Sequence, residues 1–414
     1  MLKILHFSDA HIDIAAQGRR DPETGLPLRV LDFLKALDTI IDTAISERVD
    51  LVLFAGDAYK DRSPAPTFQR EWGRRIMRLS RAGIPTLLLV GNHDLSPAVG
   101  RANAMQEFET LEVPNVHLLG RPCFLSSKDL FGLPLQMVAL PWISRSGMMA
   151  ALQVEGMQPS QIYTELEVRL GDLMNAWLEA ADSSLPVVLT AHCSVQGAVY
   201  GGERSVMLGG DLVLSGSIVK DPRLSYVALG HIHKAQDLNQ DSQPPVIYPG
   251  SIERVDFGEV NDEKFFVIAY LEKGKDTRVE WHKLEGRRFI DRYISLETPD
   301  QWMEQIFNQL PGPDLLEGAI IRLVLDYPRA WENLLDEAAL RHSMEPAFEF
   351  HLVRRPRIET RLRIPGDATI GSLAPLDLLD IYWRSMKTQD SEANELQKLA
   401  QEIMHTPHDP LEEA

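Results

Sequence analysis

The sequence predicts an α/β protein whose main domain is built on a largely parallel, buried β-sheet. Short apolar strands alternate with amphipathic helices through the first 230 residues, which is the pattern of parallel sheets covered by helices. Polar side chains directly follow several of these strands, where open α/β sheets place their chemistry. The chain has 414 residues, more than one ordinary core holds, so we expect two or three domains.

The composition is that of a globular protein, with 44% hydrophobic and 25% charged residues. Two cysteines, Cys123 and Cys193, cannot form a disulfide framework and suit a reducing compartment. The chain opens with a strand rather than a signal peptide, and no apolar run has the length of a membrane span. We therefore expect a cytoplasmic protein. The net charge of −18 argues against tight unaided binding of nucleic acid, but not against a nuclease whose cations neutralise phosphate.

The first three predicted strands end in polar motifs. A strand over residues 2–8 ends at Asp9-Ala10-His11, one over 50–55 at Gly56-Asp57, and one over 87–90 at Gly91-Asn92-His93-Asp94. Helices separate these strands, because apolar residues recur three or four positions apart. These residues are Val30, Leu34, Leu37, Ile41 and Ile45 in the first helix and Phe68, Trp72, Ile76 and Leu79 in the second.

Further strands are predicted at 116–119, 136–140, 186–190 and 226–229, with helices around 102–108 and 162–177. The last two strands end at Ala191-His192 and at Gly230-His231-Ile232-His233. Residues 265–271 and 278–281, joined across Gly274, predict a hairpin. The polar stretch 285–298 predicts a domain boundary.

Beyond that boundary the pattern predicts a small α+β domain, with helices at 302–310 and 331–340 and strands at 319–325 and 348–353. Its last strand runs into a basic cluster, which is either a phosphate contact or a charged edge strand. The cluster is Arg354, Arg355, Arg357, Arg361 and Arg363. Two amphipathic helices at 376–386 and 396–404 are too short to be stable alone, so they must dock on this chain or on a partner. The tail at 406–410 is predicted to be disordered.

Five of the 12 histidines lie in the loops after the predicted strands. Because loops after parallel strands gather at one end of a sheet, these side chains can meet. Asp, Asn and His suit manganese, iron or zinc, and the absence of cysteine among them disfavours a closed structural zinc site. A central carboxylate can share its two oxygens between two cations roughly 3.5–4 Å apart, which can clamp a phosphoryl group. Each motif alone could be an ordinary polar turn, but the ordered set predicts a metal centre. Cys193 is predicted to be core packing.

Five motifs together resemble the calcineurin-like metallophosphoesterase pattern. They are Asp9-x-His11, Gly56-Asp57, Gly91-Asn92-His93-Asp94, His192 and Gly230-His231-x-His233. More narrowly, the stretches 228–234 and 248–258 resemble the SbcD family of bacterial nuclease subunits. The resemblance implies a sandwich of β-sheets flanked by helices over residues 1–285. It further implies a small α+β capping domain over 290–365 and a C-terminal helical segment over 370–405.

The resemblance implies two metal sites, typically for manganese, that share Asp57. One would use Asp9, His11, Asp57 and His233, and the other Asp57, Asn92, His192 and His231. His93 would donate a proton to the leaving oxygen or stabilise transition-state charge. Asp94 would orient His93 or raise its pKa, or else hold the turn. Relatives often carry His or Asp where this chain has Lys60, which could repel a protonated His93 or contact phosphate.

The function implied is a manganese-dependent DNA nuclease of repair and recombination. It would be a 3′–5′ exonuclease on double-stranded ends and an endonuclease on single strands and hairpins. The capping domain would guide DNA, with Lys60, Arg354, Arg355 and Arg357 as candidate contacts. The C-terminal helices would bind an SbcC-like SMC-type ATPase, and helices near 68–79 and 102–108 would form a homodimer within a heterotetramer or simply cover the sheet. The alternatives are a phosphoesterase of small phosphodiesters and a non-catalytic scaffold, although a scaffold would not need seven ligands and His93.

Overall fold

The computed structural model describes residues 1–14, 18–95, 102–143, 159–201, 213–357, 374–385 and 390–405. Within them the chain divides into two compact units. The first takes in Met1–Asp291 and Glu317–Ile320, and the second takes in Arg292–Leu316 and the described residues from Ile321 onward. The division into 1–285, 290–365 and 370–405, with the role inferred for each range, stays a prediction.

Strands and helices are numbered here in chain order. The strands are β1 (Leu2–Phe7), β2 (Leu51–Phe54), β3 (Thr86–Leu89), β4 (Val116–Leu119), β5 (Cys123–Leu125), β6 (Gln136–Leu140), β7 (Val187–His192), β8 (Ser194–Val195), β9 (Val213–Leu214), β10 (Tyr226–Gly230), β11 (Gln236–Asp237), β12 (Val246–Tyr248), β13 (Lys264–Leu271), β14 (Arg278–Leu284), β15 (Phe289–Ser295), β16 (Ile320–Pro328) and β17 (Glu349–Arg357). The helices are α1 (Leu28–Ser46), α2 (Pro66–Arg81), α3 (Gln106–Thr110), α4 (Pro159–Ala180), α5 (Gly216–Val219), α6 (Trp302–Phe307), α7 (Pro313–Leu316), α8 (Glu337–Ser343), α9 (Pro375–Ser385) and α10 (Asp390–His405).

Two six-stranded sheets form most of the first unit, which also contains the short parallel pair β8–β9. The first sheet has the order β14-β13-β1-β2-β3-β4, with β1 to β4 parallel and the predicted β13–β14 hairpin added antiparallel to β1. The second sheet has the order β11-β12-β10-β7-β6-β5. Strands β12, β10, β7 and β6 are parallel, and β11 and β5 are antiparallel edges. The prediction of a sandwich of sheets flanked by helices is confirmed.

The sheets pack against each other, and helices cover their outer faces. On β2, Leu51 and Leu53 contribute to the core between the sheets, whereas Val52 and Phe54 contribute to the core beneath α1 and α2. Leu170 of α4 packs in a separate core on the outer face of the second sheet. Because successive side chains of a strand point to opposite faces, a strand covered on both sides is apolar throughout.

In several places the secondary structure differs from the prediction. The polar stretch 285–298 contains β15, whose apolar residues Phe289 and Ile294 are buried on either side of a polar Asp-Arg-Tyr segment. The predicted helix at 331–340 is a 3₁₀ turn followed by α8, because Leu335 is extended and Asp336 starts a new helix by accepting from the Ala339 amide at 2.9 Å. The short strands β5, β8, β9, β11 and β12 and the short helices α5 and α7 were not predicted.

The second unit contains the three-stranded sheet β15-β16-β17. Its core joins Trp302 of α6, Leu325 of β16 and Leu340 of α8. Helices α9 and α10 contact each other, and the Gln397 amide donates to the Leu376 carbonyl at 3.2 Å. Residues 358–373 and the tail at 406–410 lie outside the described residues. In the described part of the chain, none of the helices has the length and apolarity that a membrane span requires.

Candidate metal centre

The loops that follow β1, β2, β3, β7 and β10 meet at one end of the sandwich. They bring together Asp9, His11, Asp57, Asn92, His93, His192, His231 and His233. Four of these residues have positive φ angles: Asp9 (51°), His11 (38°), Asp57 (65°) and His231 (101°). Side chains other than glycine rarely adopt such angles, and they concentrate where the fold must aim a functional group.

Asp9, His11 and His233 form a first donor group, in which one atom from each residue lies within 4.8 Å of the others. His11 donates through Nδ1 to the Tyr59 carbonyl at 3.2 Å, and His233 donates through Nδ1 to Glu259 at 2.7 Å. Each ring therefore points an unprotonated Nε2 inward, and these two nitrogens lie 3.1 Å apart. Two lone pairs at that distance fit a shared cation.

Asp57, His192 and His231 form a second donor group of the same kind. His192 donates through Nδ1 to the Ala55 carbonyl at 2.7 Å, which directs its Nε2 towards the other donors. The Asn92 side-chain oxygen lies 3.0 Å from His192 Nε2 and 3.0 Å from His231 Nδ1. The described residues thus bring all seven predicted ligands into two adjoining groups.

Asp57 joins the two groups through a single oxygen. Its Oδ2 lies 3.8 Å from His11 Nε2 and 3.3 Å from His192 Nε2, whereas its Oδ1 accepts the His93 amide at 2.8 Å. This differs from the expectation that each of two cations would take one of the two oxygens. The His93 amide, in the loop after β3, forms a hydrogen bond with Oδ1, so only Oδ2 faces both donor groups.

The electrostatics of this cluster favour bound cations. Burial lowers the pKa of His11 well below its usual value and keeps that ring a neutral donor. Burial also opposes charge on His192, yet Asp57 raises its pKa to about 9, so the cluster attracts positive charge at His192 Nε2. Buried oxygen and imidazole donors of this composition fit Mn, Fe or Zn, and the two donor groups could each hold a divalent ion.

A buried charged network that sequence reasoning missed supports the first group. Glu259 accepts from His233 Nδ1 and from Lys264 Nζ, at 2.7 Å and 2.6 Å. Ser251 donates to the same carboxylate at 3.2 Å. Burial works to raise the pKa of Glu259, but His233 and Lys264 hold it well below its usual value. A carboxylate behind a metal-binding histidine fixes the ring and its tautomer.

His93 lies beside the first group, with its ring centroid 5.2 Å from that of His11. Its Nδ1 donates to the Lys60 carbonyl at 2.8 Å, and its Nε2 lies 3.4 Å from Lys60 Nζ. Burial lowers its pKa. The main chain of Lys60 therefore orients this ring, which the residue type at position 60 could not reveal.

Asp94 forms hydrogen bonds with the main chain of the loops after β2 and β3 and not with the His93 ring. Its carboxylate accepts the amides of Asp57 and Gly91 through Oδ2 at 2.8 and 2.9 Å, and that of Ala58 through Oδ1 at 2.9 Å. Burial raises its pKa to about 7, with a contribution from Asp57. Of the two roles considered for Asp94, these hydrogen bonds favour holding the turn.

Two further residues complete the surroundings. Trp142 was not predicted, and its ring lies 5.0 Å from that of His231. Its amide donates to the Val90 carbonyl at 2.9 Å, which links the end of β6 to the third loop. Cys193 packs in the core of the second sheet, as predicted.

The basic cluster of β17 lies in the second unit, and acidic residues pair with much of it. Arg354 contacts Glu337, and Arg357 contacts Glu297 and Asp326 at 3.0 Å and 2.8 Å. Arg355 is exposed. Arg361 and Arg363 lie outside the described residues. Contact of Lys60 or of these arginines with DNA stays a prediction.

The sandwich and its paired donor groups define a metal-dependent phosphoesterase. Residues 2–235 match the calcineurin-like phosphoesterase family, and the chain belongs to it. An Escherichia coli K12 protein, named as the SbcD component of the nuclease SbcCD, is 25% identical over 98% of both chains. Its Rhodobacter capsulatus counterpart is 27% identical over 80% of this chain and 78% of that one. A Saccharolobus solfataricus protein named DNA double-strand break repair protein Mre11 is 26% identical over 66% of this chain, which spans only 60% of that relative.

Proposed function

We propose that this protein is a manganese-dependent DNA nuclease, a 3′–5′ exonuclease on double-stranded ends and an endonuclease on single strands and hairpins, acting in the cytoplasm in repair and recombination. The observation that carries the proposal is the pair of buried donor groups that share Asp57 Oδ2, with His93 beside them. The similarity to proteins named as components of the nuclease SbcCD, over nearly the whole chain in one case, supports DNA as the substrate.

The two donor groups would hold a pair of divalent cations, which would supply an activated water and neutralise charge on a phosphate. His93 then protonates the oxygen that leaves when the P–O bond breaks. Because its Nδ1 proton is committed to the Lys60 carbonyl, Nε2 is the atom that transfers the proton. Nε2 must first gain a proton, and the lowered pKa of His93 makes the protonated ring less abundant at neutral pH but a stronger acid once it forms. The Lys60 ammonium, 3.4 Å from Nε2, attracts the substrate phosphate to the same place.

We also propose that the C-terminal helices bind an SbcC-like SMC-type ATPase. Tyr382 of α9 and Leu399, Ile403 and Met404 of α10 are exposed, by 44%, 53%, 67% and 47%. Apolar side chains on short helices gain stability when a partner covers them. Residues 290–365 would guide DNA, and helices near 68–79 and 102–108 would form the homodimer within a heterotetramer.

Cleavage of labelled hairpin and blunt duplex DNA with Mn²⁺, with and without the ATPase, tests the proposal. We expect cleavage by the wild-type chain and by His342→Ala, an exposed histidine of the second unit. His93→Ala should lose cleavage by roughly 10²–10⁴-fold, the usual contribution of a general acid, while keeping its bound metal. Hydrolysis of bis-(p-nitrophenyl) phosphate without any cleavage of DNA would instead favour the phosphoesterase of small phosphodiesters.

A further inference from the structure

We propose that Asp13 is a positioning residue that aims His93 by holding the main chain of Lys60. This inference rests on the proposed function, because it concerns the proton donor of that reaction. Asp13 follows the first donor loop and is only 8% exposed. The sequence motifs assign it no role.

The Asp13 carboxylate accepts hydrogen bonds from two consecutive main-chain amides. Its Oδ1 accepts the Lys60 amide, and its Oδ2 accepts the Asp61 amide at 3.0 Å. A carboxylate that accepts two backbone amides fixes the peptide planes between them, since hydrogen bonds to an ionised group are stronger than neutral ones. The segment it holds is otherwise exposed, because the side chains of residues 60–63 all face solvent.

The Lys60–Asp61 peptide, which Asp13 holds in this way, carries the carbonyl oxygen that accepts the hydrogen bond from His93. The Lys60 carbonyl accepts from His93 Nδ1 at 2.8 Å, and this bond selects the tautomer with a free Nε2. The same segment places Lys60 Nζ 3.4 Å from that nitrogen. Asp13 therefore sets both the direction of the ring and the position of the neighbouring ammonium without touching either group.

Asp13 should affect His93 more than the metal ligands. The main-chain carbonyl of Tyr59, the residue before Lys60, accepts from His11 Nδ1 at 3.2 Å. The Tyr59 ring is buried and packs near Trp72, so Tyr59 is held in place independently of Asp13. Loss of the Asp13 carboxylate thus releases Lys60 and leaves Tyr59 in place. A misplacement of about 1 Å in a reacting group can cost on the order of 10²-fold in rate.

The test compares Asp13→Ala and Asp13→Asn with wild type on two substrates. On duplex DNA we expect Asp13→Ala to lower kcat about 100-fold, with KM and metal content unchanged. Asp13→Asn, which keeps one acceptor oxygen, should fall between the two. On bis-(p-nitrophenyl) phosphate the loss should be much smaller, because p-nitrophenolate leaves without a proton. Asp129→Ala is the matched control, since Asp129 also accepts a backbone amide, that of Ser126 at 2.8 Å, in an exposed turn.

A double-mutant cycle separates this role from a general structural one. In the His93→Ala background, Asp13→Ala should cause no further loss on either substrate. An equal loss in both backgrounds, an equal loss on both substrates, or loss of bound metal would overturn the inference. In ¹⁵N-histidine spectra of the zinc-loaded protein, His93 should be protonated at Nδ1 in wild type and exchange between tautomers in Asp13→Ala. Unchanged spectra would also overturn it, whereas a wild-type chain that leaves DNA intact would count against the proposed nuclease and leave this spectroscopic test in force.

Discussion

Glu259→Gln tests whether the buried network behind His233 tunes metal binding. The Glu259 carboxylate receives His233 Nδ1 on Oε1 and Lys264 Nζ on Oε2. Glutamine has a single acceptor oxygen, so only one of these two donors keeps its hydrogen bond. The second donor faces the NH₂ group of the glutamine. It also removes the negative charge opposite Lys264, which is 1% exposed.

Two effects of different size follow from this substitution. Loss of the carboxylate behind a ligating histidine lowers metal affinity about 10–100-fold, which is about 1.4–2.7 kcal/mol. An unpaired buried charge on Lys264 costs about 3–5 kcal/mol of folding free energy. Adding Lys264→Met removes that charge, so the double variant should recover stability without recovering metal affinity.

Isothermal titration with Mn²⁺ measures the first effect, and thermal unfolding measures the second. We expect one of two binding events to weaken by about 10–100-fold while the other persists. Glu253→Gln is the matched control, because Glu253 is equally buried but accepts the amides of Arg254 and Arg287 instead of a ligand histidine. Wild-type Mn²⁺ binding by Glu259→Gln, or equal weakening by Glu253→Gln, would refute the reasoning.

Three further predictions concern other parts of the chain. Burial lowers the pKa of His6 from 6.5 to about 3, so its neutral ring stabilises the fold above pH 6.5 and this stability is lost as the pH falls. Wild type should therefore lose unfolding free energy between pH 7.5 and pH 5, and His6→Gln should make that loss smaller by about 2 kcal/mol. Urea titration at the two pH values measures the difference. Gly230→Ala should abolish metal binding, because the added Cβ would lie 2.1 Å from the Ala55 carbonyl oxygen. Gly171→Ala adds its Cβ to open space on α4 and should stabilise the chain by about 0.5–1 kcal/mol. Metal analysis checks the first variant, and thermal unfolding checks the second. Deleting residues from 374 onward should preserve Mn²⁺-dependent cleavage and abolish ATPase binding in a pull-down; retained binding would contradict the assignment of α9 and α10.

The sequence is most informative where chemistry directly follows an apolar strand. Asp9, Asp57, Asn92 and His192 were predicted because each lies within a few residues of a strand that periodicity identifies. The sandwich itself was less visible from periodicity. Pairing of β1 with β13 joins Leu2 to Leu271, and no local pattern encodes so distant a partner.

The supports of the site left little trace in the sequence. Glu259 lies 26 residues after His233 and Lys264 lies 31 residues after it, in a segment without ligand spacing. The acceptor for His93 is a main-chain carbonyl, which every residue type possesses, so the lysine at position 60 could not identify it. The role of Asp94 was ambiguous because a carboxylate after a histidine can contact either the ring or the backbone.

The shared oxygen of Asp57 has a thermodynamic consequence. Because Oδ2 faces both donor groups, an ion in one position uses part of the negative charge that attracts an ion to the other. Linkage requires this penalty to be the same whichever position fills first. Loading should therefore be anticooperative and give two separated steps in a titration, and a change that tightens one position will loosen its neighbour.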